Sequence, residues 1–206
     1  MTDSDYTHLT ILVDSSGSMQ KIKSDTEGAI NTFIEEQKKG PGRVTLTLTT
    51  FDTTVKIVHE HIDIAESPEF VLHPTGMTAL YDAMGITMAA TGAWLASLPE
   101  EQRPGKVIFV VMTDGHENSS KEYTAEQIAD LTQLQARDYA WEFTYLGANQ
   151  DAILVAKQMG IDPQFALTYA GQAVGQAVGA ASASVSRSRM GGNRAYTEAE
   201  RTAAMG

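Results

Sequence analysis

Two continuous apolar runs, each ended by an aspartate, constrain this chain most. The run from His8 to Val13 stops at Asp14, and the run from Lys106 to Thr113 stops at Asp114. Unbroken β-branched and apolar runs of this length are typical of strands buried on both faces of a parallel sheet. The sequence therefore predicts two buried strands that each deliver a carboxylate to the carboxyl edge of a sheet.

The remaining pattern alternates helices with strands. Thr124 and Gln127 are spaced as a capping box at the start of one helix, and Asp52-Thr53 is a tight turn between two Val- and Thr-rich runs. The predicted helices span residues 19–39, 80–98, 124–138 and 151–159, and the further strands span residues 43–51, 54–61, 141–146 and 165–169. This order predicts an α/β doubly wound fold, with a mostly parallel sheet, one antiparallel edge strand and helices on both faces.

The length of 206 residues suits one domain with a tail. From Gly171 the composition changes to Gly, Ala, Ser and Gln, and glycine recurs at Gly175 and Gly179. Residues 171–206 hold four arginines against two glutamates, a net charge of +2. Because the whole chain has a net charge of -11, residues 1–170 carry -13. We expect a folded domain over residues 1–170. Residues 171–206 are expected to form a partly flexible helix or tail, because exposed helical glycines each cost about 1 kcal/mol relative to alanine.

Composition excludes several classes of function. A net charge of -11 repels nucleic-acid phosphates and anionic membranes, so neither is an expected partner. The chain has no cysteine, which rules out disulfides, thiolate metal sites and a cysteine nucleophile. Residues 1–5 carry two acids and no basic residue before the first apolar stretch, so we expect no export signal, and no apolar run is long enough to cross a membrane. We expect a cytoplasmic protein.

A set of oxygen-bearing side chains gathers where the predicted strands end. Asp14, Ser16 and Ser18 alternate along one loop, Thr78 precedes the long second helix, and Asp114 follows a second strand. In open α/β sheets, ligands bind outside the carboxyl ends of the strands. Two carboxylates and three hydroxyls without His or Cys suit Mg²⁺, with Mn²⁺ and Ca²⁺ as alternatives, better than zinc or copper. The sequence predicts a divalent-cation site.

Three segments carry a family resemblance. Residues 14–19 (DSSGSM), 75–83 (TGMTALYDA) and 113–115 (TDG) resemble, in order, the metal-ion-dependent adhesion site of von Willebrand factor type A domains, and the likeness spans residues 6–170. It implies that Ser16 and Ser18 bind the metal directly. Thr78 would bind directly or through water, and Asp14 and Asp114 mainly through water. It also implies that an Asp or Glu of a partner protein completes the coordination.

The resemblance also suggests partners. Stand-alone bacterial or phage members are often associated with AAA+ ATPases of the MoxR type, so such an ATPase is a candidate partner of a cytoplasmic adaptor. We assign Met77, His116 and Glu117 to the rim that a partner would contact. For His116 and Glu117, capping of the next element is the favoured alternative.

Three other functions agree less well with the sequence. A Mg²⁺-dependent phosphohydrolase of the haloacid dehalogenase type also places an aspartate after its first strand, but needs a second aspartate where Ser16 stands. Gly-x-Ser-x-Gly is absent, which disfavours a serine hydrolase. We therefore expect no catalysis, and a metal-independent structural scaffold is the main alternative, ahead of the phosphohydrolase.

Overall fold

The two apolar runs that end in aspartate are neighbouring parallel strands. In the computed structural model, which describes residues 2–149 and 151–206, the first strand pairs with the fourth, with Val13 opposite Met112. The strands are β1 (Asp3–Asp14), β2 (Arg43–Phe51), β3 (Val55–Asp63), β4 (Pro104–Thr113), β5 (Glu142–Ala148) and β6 (Ala166–Tyr169). The helices are α1 (Lys23–Lys38), α2 (Leu80–Ser97), α3 (Ala125–Tyr139), α4 (Ala152–Gln158), α5 (Val174–Arg189) and α6 (Glu198–Ala203).

The sheet has the order β3-β2-β1-β4-β5-β6, and only β2 and β3 pair in antiparallel fashion. The fold class predicted from sequence is thus confirmed. The β2–β3 hairpin turns at Asp52, as predicted, and the Thr124–Gln127 capping box is present at the start of α3. One helix boundary was wrong: a 3-10 turn over Gly17–Ile22 precedes α1, which begins only at Lys23.

Apolar side chains fill both faces of the sheet. On one face, Phe33 of α1 and Val178 of α5 share an apolar cluster with residues of β1, β2 and β4, and on the other, Met84 of α2 and Ile128 of α3 share a second cluster with residues of β1, β4 and β5. Burial of residues such as these, each about 2 kcal/mol, is the main term that holds the helices on the sheet. In the described part of the chain, no helix is long and apolar enough to span a membrane.

Residues 171–206 form α5 and α6, and both helices contact the rest of the domain. α5 buries Val174, Val178 and Val185 in the core that it shares with α1. Two arginines of this segment bind to the rest of the domain: Arg189 donates to the backbone oxygen of Gln37 at 2.8 Å, and Arg201 donates to that of Ala166 at 2.8 Å. The segment thus shares the core of residues 1–170, because the small side chains between its glycines face inward and let α5 approach α1.

Candidate functional site

The predicted carboxylates meet where the strand order reverses. β1 lies between β2 and β4, so the chain leaves β1 and β4 in opposite directions across the sheet. Asp14 is the last residue of β1, and Asp114 directly follows β4. A crevice at the carboxyl ends of the strands is expected at such a reversal, and this is the place where open α/β sheets bind ligands.

Asp14 is fully buried and held by two donors. The Ser16 backbone N–H donates to its Oδ1 at 2.7 Å, and the Thr113 hydroxyl donates to its Oδ2 at 2.5 Å. Burial nevertheless raises the pKa of Asp14 to about 6, because the two hydrogen bonds only partly offset the loss of water. The carboxylate is therefore oriented by the fold and short of compensating positive charge.

The serines of the first loop connect Asp14 to Asp114. The Ser18 hydroxyl donates to Asp114 Oδ1 at 2.6 Å, and the Ser16 and Ser18 hydroxyl oxygens are 3.1 Å apart. Burial raises the pKa of Asp114, although its side chain is only partly covered and the Ser18 bond opposes the shift. The structure brings these predicted site residues into direct contact.

Thr78 completes the set through the space beside Gly115. A Cβ built on Gly115 would lie 3.2 Å from Thr78 Oγ1, 3.8 Å from Ser18 Oγ and 3.9 Å from Asp14 Oδ2. Oxygens of two loops, the one after β1 and the one before α2, thus face a small volume that Gly115 of a third loop leaves free. Hydroxyl and carboxylate donors of this kind fit Mg²⁺, Mn²⁺ or Ca²⁺.

The donor set differs from a carboxylate- or histidine-rich metal site. Within residues 2–149 and 151–206, no group of three or more His, Asp or Glu side chains is placed to hold a metal ion. The five predicted ligands contain only two carboxylates, Asp14 and Asp114, and rely otherwise on hydroxyls. Such a set leaves a bound cation with much of its positive charge.

The Thr75–Ala79 loop is braced by the β2–β3 turn. Asp52 accepts a hydrogen bond from the Thr75 hydroxyl at 2.5 Å, and Thr53 Oγ1 accepts one from the Met77 N–H at 3.0 Å. Burial pushes the pKa of Asp52 upward, but the bonds from Thr75 and Thr54 outweigh it and the net pKa is lowered. Asp52 therefore positions the loop that carries Thr78, a role that sequence reasoning missed.

A second brace ties Thr78 to the loop after Asp114. The Thr78 N–H donates to Asn118 Oδ1 at 2.9 Å, and the Asn118 N–H donates to the Thr78 backbone oxygen at 3.0 Å. Glu117 accepts the Tyr81 N–H at 3.0 Å and the N–H of Ser120 at 2.7 Å. These contacts join the start of α2 to the Asp114 loop.

The residues assigned to the partner rim differ in their surroundings. Met77 is 53% exposed and His116 is exposed as well, so both are accessible to another molecule. Glu117 is half-buried and spends its carboxylate on backbone donors. Its geometry is that of a cap, the alternative that the sequence favoured.

Solved structures share this fold. The chain is similar to proximal thread matrix protein 1 of the mussel byssus (15% identity, 83% of this chain and 46% of that one, TM-score 0.59). It is also similar to a von Willebrand factor type A protein of Catenulispora acidiphila (15% identity, 86% of this chain and 42% of that one, TM-score 0.55). A third structure is the von Willebrand factor domain of the type V pili tip protein Mfa5 of Porphyromonas gingivalis (11% identity, 94% of this chain and 98% of that one, TM-score 0.62).

These likenesses show a von Willebrand factor type A fold. No protein-family model and no curated protein matches the sequence. The chain spans less than half the length of the byssus protein, 46% of it. A second structure of that protein is described with zinc occupying its metal-ion-dependent adhesion motif.

Proposed function

We propose that this chain is a non-catalytic, divalent-metal-dependent protein-binding domain. Asp14, Ser16, Ser18, Thr78 and Asp114 would hold Mg²⁺, and an Asp or Glu of a partner protein would complete the coordination. The von Willebrand factor type A fold, common to a byssus matrix protein and a pilus tip protein, supports a role in protein interaction.

One observation carries the proposal: the oxygens of Thr78, Ser18 and Asp14 converge on the space beside Gly115. Asp14 is buried with too little positive charge around it, and a divalent cation would supply that charge. The partial exposure of Asp114 and Ser18 leaves one side of the site open to another molecule. A cation bound mainly by hydroxyls stays electropositive and attracts a carboxylate.

The same residues support a non-catalytic role. Ser16 stands where a phosphohydrolase of the haloacid dehalogenase type has its acid–base aspartate. Its backbone N–H is bound to Asp14, and its hydroxyl lies beside that of Ser18. Neither contact prepares Ser16 to move a proton.

Calorimetric titration of Mg²⁺ into chelator-treated protein tests the metal site. We expect one site per chain in the wild type, a higher melting temperature with Mg²⁺, and no heat with Ser16→Ala. Ser119→Ala, which removes a hydroxyl on the same rim, is the matched control and should bind like the wild type. Absence of both heat and a melting shift in the wild type, with Mn²⁺ and Ca²⁺ also tried, would overturn the proposal.

We further propose a cytoplasmic location and an AAA+ ATPase of the MoxR type as the partner. The absence of cysteine fits a reducing compartment, and the family resemblance suggests the ATPase. Affinity purification from the native host, with Mg²⁺ or with EDTA, tests both the partner and its metal dependence. Recovery of other specific partners without an ATPase would reject that partner.

A metal-independent scaffold is the second candidate. It is favoured by the Asn118 and Glu117 braces, which order the loops through protein contacts alone. The same purification separates the two candidates, because a scaffold would retain its partner in EDTA.

A further inference from the structure

A groove of about 430 Å³ runs beside the candidate metal site. One wall is β3, with Lys56 and Ile57, and the other is the segment Glu69–Thr75, which we name the ribbon. Ser15 and Thr75 close the end nearest the site, and the Thr75 N–H donates to the Ser15 backbone oxygen at 2.7 Å. Because Ser15 precedes Ser16, the groove leads directly to the loop that would hold the metal.

The ribbon is extended and fastened along one edge only. Phe70 and Leu72 are buried, whereas Glu69, Val71 and His73 are exposed, an alternation that is typical of an extended chain. Asn31 accepts the Phe70 N–H at 2.8 Å and donates to the Phe70 oxygen at 2.9 Å, and Glu27 accepts the Leu72 N–H at 2.8 Å. These bonds hold the ribbon against α1.

The other edge of the ribbon is unpaired. Neither the Val71 nor the His73 backbone makes a hydrogen bond to any residue that the structure describes. Successive N–H and C=O groups of an extended chain point to opposite sides, so these groups point away from α1. β3 is itself an edge strand that pairs only with β2. A row of unpaired backbone groups on a sheet edge is a template for an added strand.

Apolar and charged side chains complete the groove. Ile57 is 43% exposed on the β3 wall and Val71 is 49% exposed on the ribbon wall. Lys56 and Glu69 form no ion pair within the part of the chain that is described. Ile57 and Val71 thus offer an extended ligand an apolar contact, and Lys56 and Glu69 can each pair with a ligand side chain of opposite charge.

We propose that the groove binds an extended segment of the partner protein, next to the acidic residue that reaches the metal. Main-chain hydrogen bonds to the free edges would supply affinity, and contact with Ile57 and Val71 would supply sequence preference, as in strand addition to other sheet edges. This inference rests on the proposed metal-dependent function and specifies the partner: an extended acidic segment with an apolar residue at a fixed distance from its metal-binding carboxylate.

A displayed peptide library, with one fixed Asp flanked by random residues and selected in Mg²⁺, tests the inference. We expect Mg²⁺-dependent peptides that share an apolar residue at one spacing from the Asp. An enriched peptide should bind Ile57→Lys at least about tenfold more weakly than the wild type. Ile153→Lys is the matched control, because Ile153 is 42% exposed on α4, and should bind like the wild type. Bound peptide should also slow hydrogen exchange of the Val71 and His73 amides.

The outcomes separate the groove from the metal site. Mg²⁺-dependent peptides that bind Ile57→Lys as tightly as the wild type, without protecting those amides, would overturn the groove and leave the metal site standing. A library that yields no Mg²⁺-dependent peptide would overturn the groove, while the calorimetric titration decides the metal site separately. If sedimentation shows a dimer, and the two amides are protected from hydrogen exchange without peptide, a second copy of the chain is the occupant and the partner segment is rejected.

Discussion

Strand β1 buries two titratable side chains. Asp14 at its carboxyl end and His8 near its middle are both inaccessible to solvent. Burial disfavours the charged form of each group, raising the pKa of Asp14 to about 6 and lowering that of His8 to about 3. The same physical effect acts on both side chains, yet only the surroundings of Asp14 have the features of a binding site.

The difference lies in what surrounds each group. His8 Nδ1 lies 2.9 Å from the Thr45 hydroxyl. The centroid of the His8 ring is 4.6 Å from that of the Trp94 ring and 5.6 Å from that of the His61 ring. Rings therefore enclose a neutral histidine. Asp14 instead shares one small space with the hydroxyl oxygens of Ser18 and Thr78, and Ser18 is exposed to solvent. Burial creates a structural group where neighbours are aromatic and a candidate ligand site where convergent oxygens can share a cation.

The largest expected effect is acid destabilisation by His8. Above pH 6.5 the ring is neutral in both states, but below it the unfolded chain takes up a proton that the folded chain refuses until about pH 3. The free energy of unfolding therefore decreases as the pH is lowered, by about 1.4 kcal/mol per pH unit and by about 5 kcal/mol between pH 6.5 and about pH 3. Urea unfolding of the wild type and His8→Gln at pH 7 and pH 4.5 measures this loss.

The neighbouring histidine requires a control. Burial also lowers the pKa of His61, so it acts in the same direction. His61→Gln at the same two pH values separates its share. If His8→Gln loses as much stability as the wild type between these pH values, the neutral, enclosed histidine is refuted.

The next largest effect is expected on Mg²⁺ binding, when the charge of Asp14 is removed. Asp14→Asn preserves an acceptor for the Ser16 N–H and contact with Thr113, so the fold should survive. Removing the charge should weaken Mg²⁺ binding at least about 100-fold, or about 3 kcal/mol. Calorimetry measures it, with Asp162→Asn, an exposed cap of a remote turn, as the control. Equal Mg²⁺ affinity in both variants would show that Asp14, like His8, is a buried group without a role in metal binding.

The fold was predictable from sequence where its signals are local. Continuous apolar runs marked β1 and β4, and the capping box at Thr124 marked α3. The packing of α5 was not predictable in this way, because Gly175 and Gly179 lower the stability of an exposed helix and no local signal shows that α5 packs against the domain. In the structure, α5 turns its valines, alanines and serines inward, and the glycines line a groove against α1.

The candidate site divides along the same line. Asp14, Ser16 and Ser18 lie within one short loop, and a motif reveals such neighbours. Asp52 and Asn118 act on loops 23 and 40 residues away, respectively, so only the folded chain shows that they brace Thr75 and Thr78. Asp52 had a local signal, its place in the hairpin turn, but that signal predicts a turn without indicating what the carboxylate binds.

A smaller effect should follow from removing a brace of the metal loops. Glu117 accepts hydrogen bonds from Tyr81, Ser119 and Ser120, so Glu117→Ala should cost about 2 kcal/mol of stability. Mg²⁺ affinity should fall as well, because α2 and the Asp114 loop lose a link. Urea unfolding and calorimetry measure both effects. Glu122→Ala, an exposed neighbour, is the control. Unchanged stability of Glu117→Ala would mean that the other contacts suffice to hold this end of the sheet.

The smallest expected effect tests the free space itself. A methyl at Gly115 would lie 3.2 Å from Thr78 Oγ1, tight but tolerable, within the volume that Ser18 and Asp14 also face. Gly115→Ala should therefore fold normally but bind Mg²⁺ about tenfold more weakly, or about 1.4 kcal/mol. Gly175→Ala, where an added Cβ meets nothing within 4 Å, should leave Mg²⁺ affinity unchanged. Unchanged affinity in Gly115→Ala would place the cation elsewhere. Asp14 would then resemble His8, as a buried polar group that serves the fold alone.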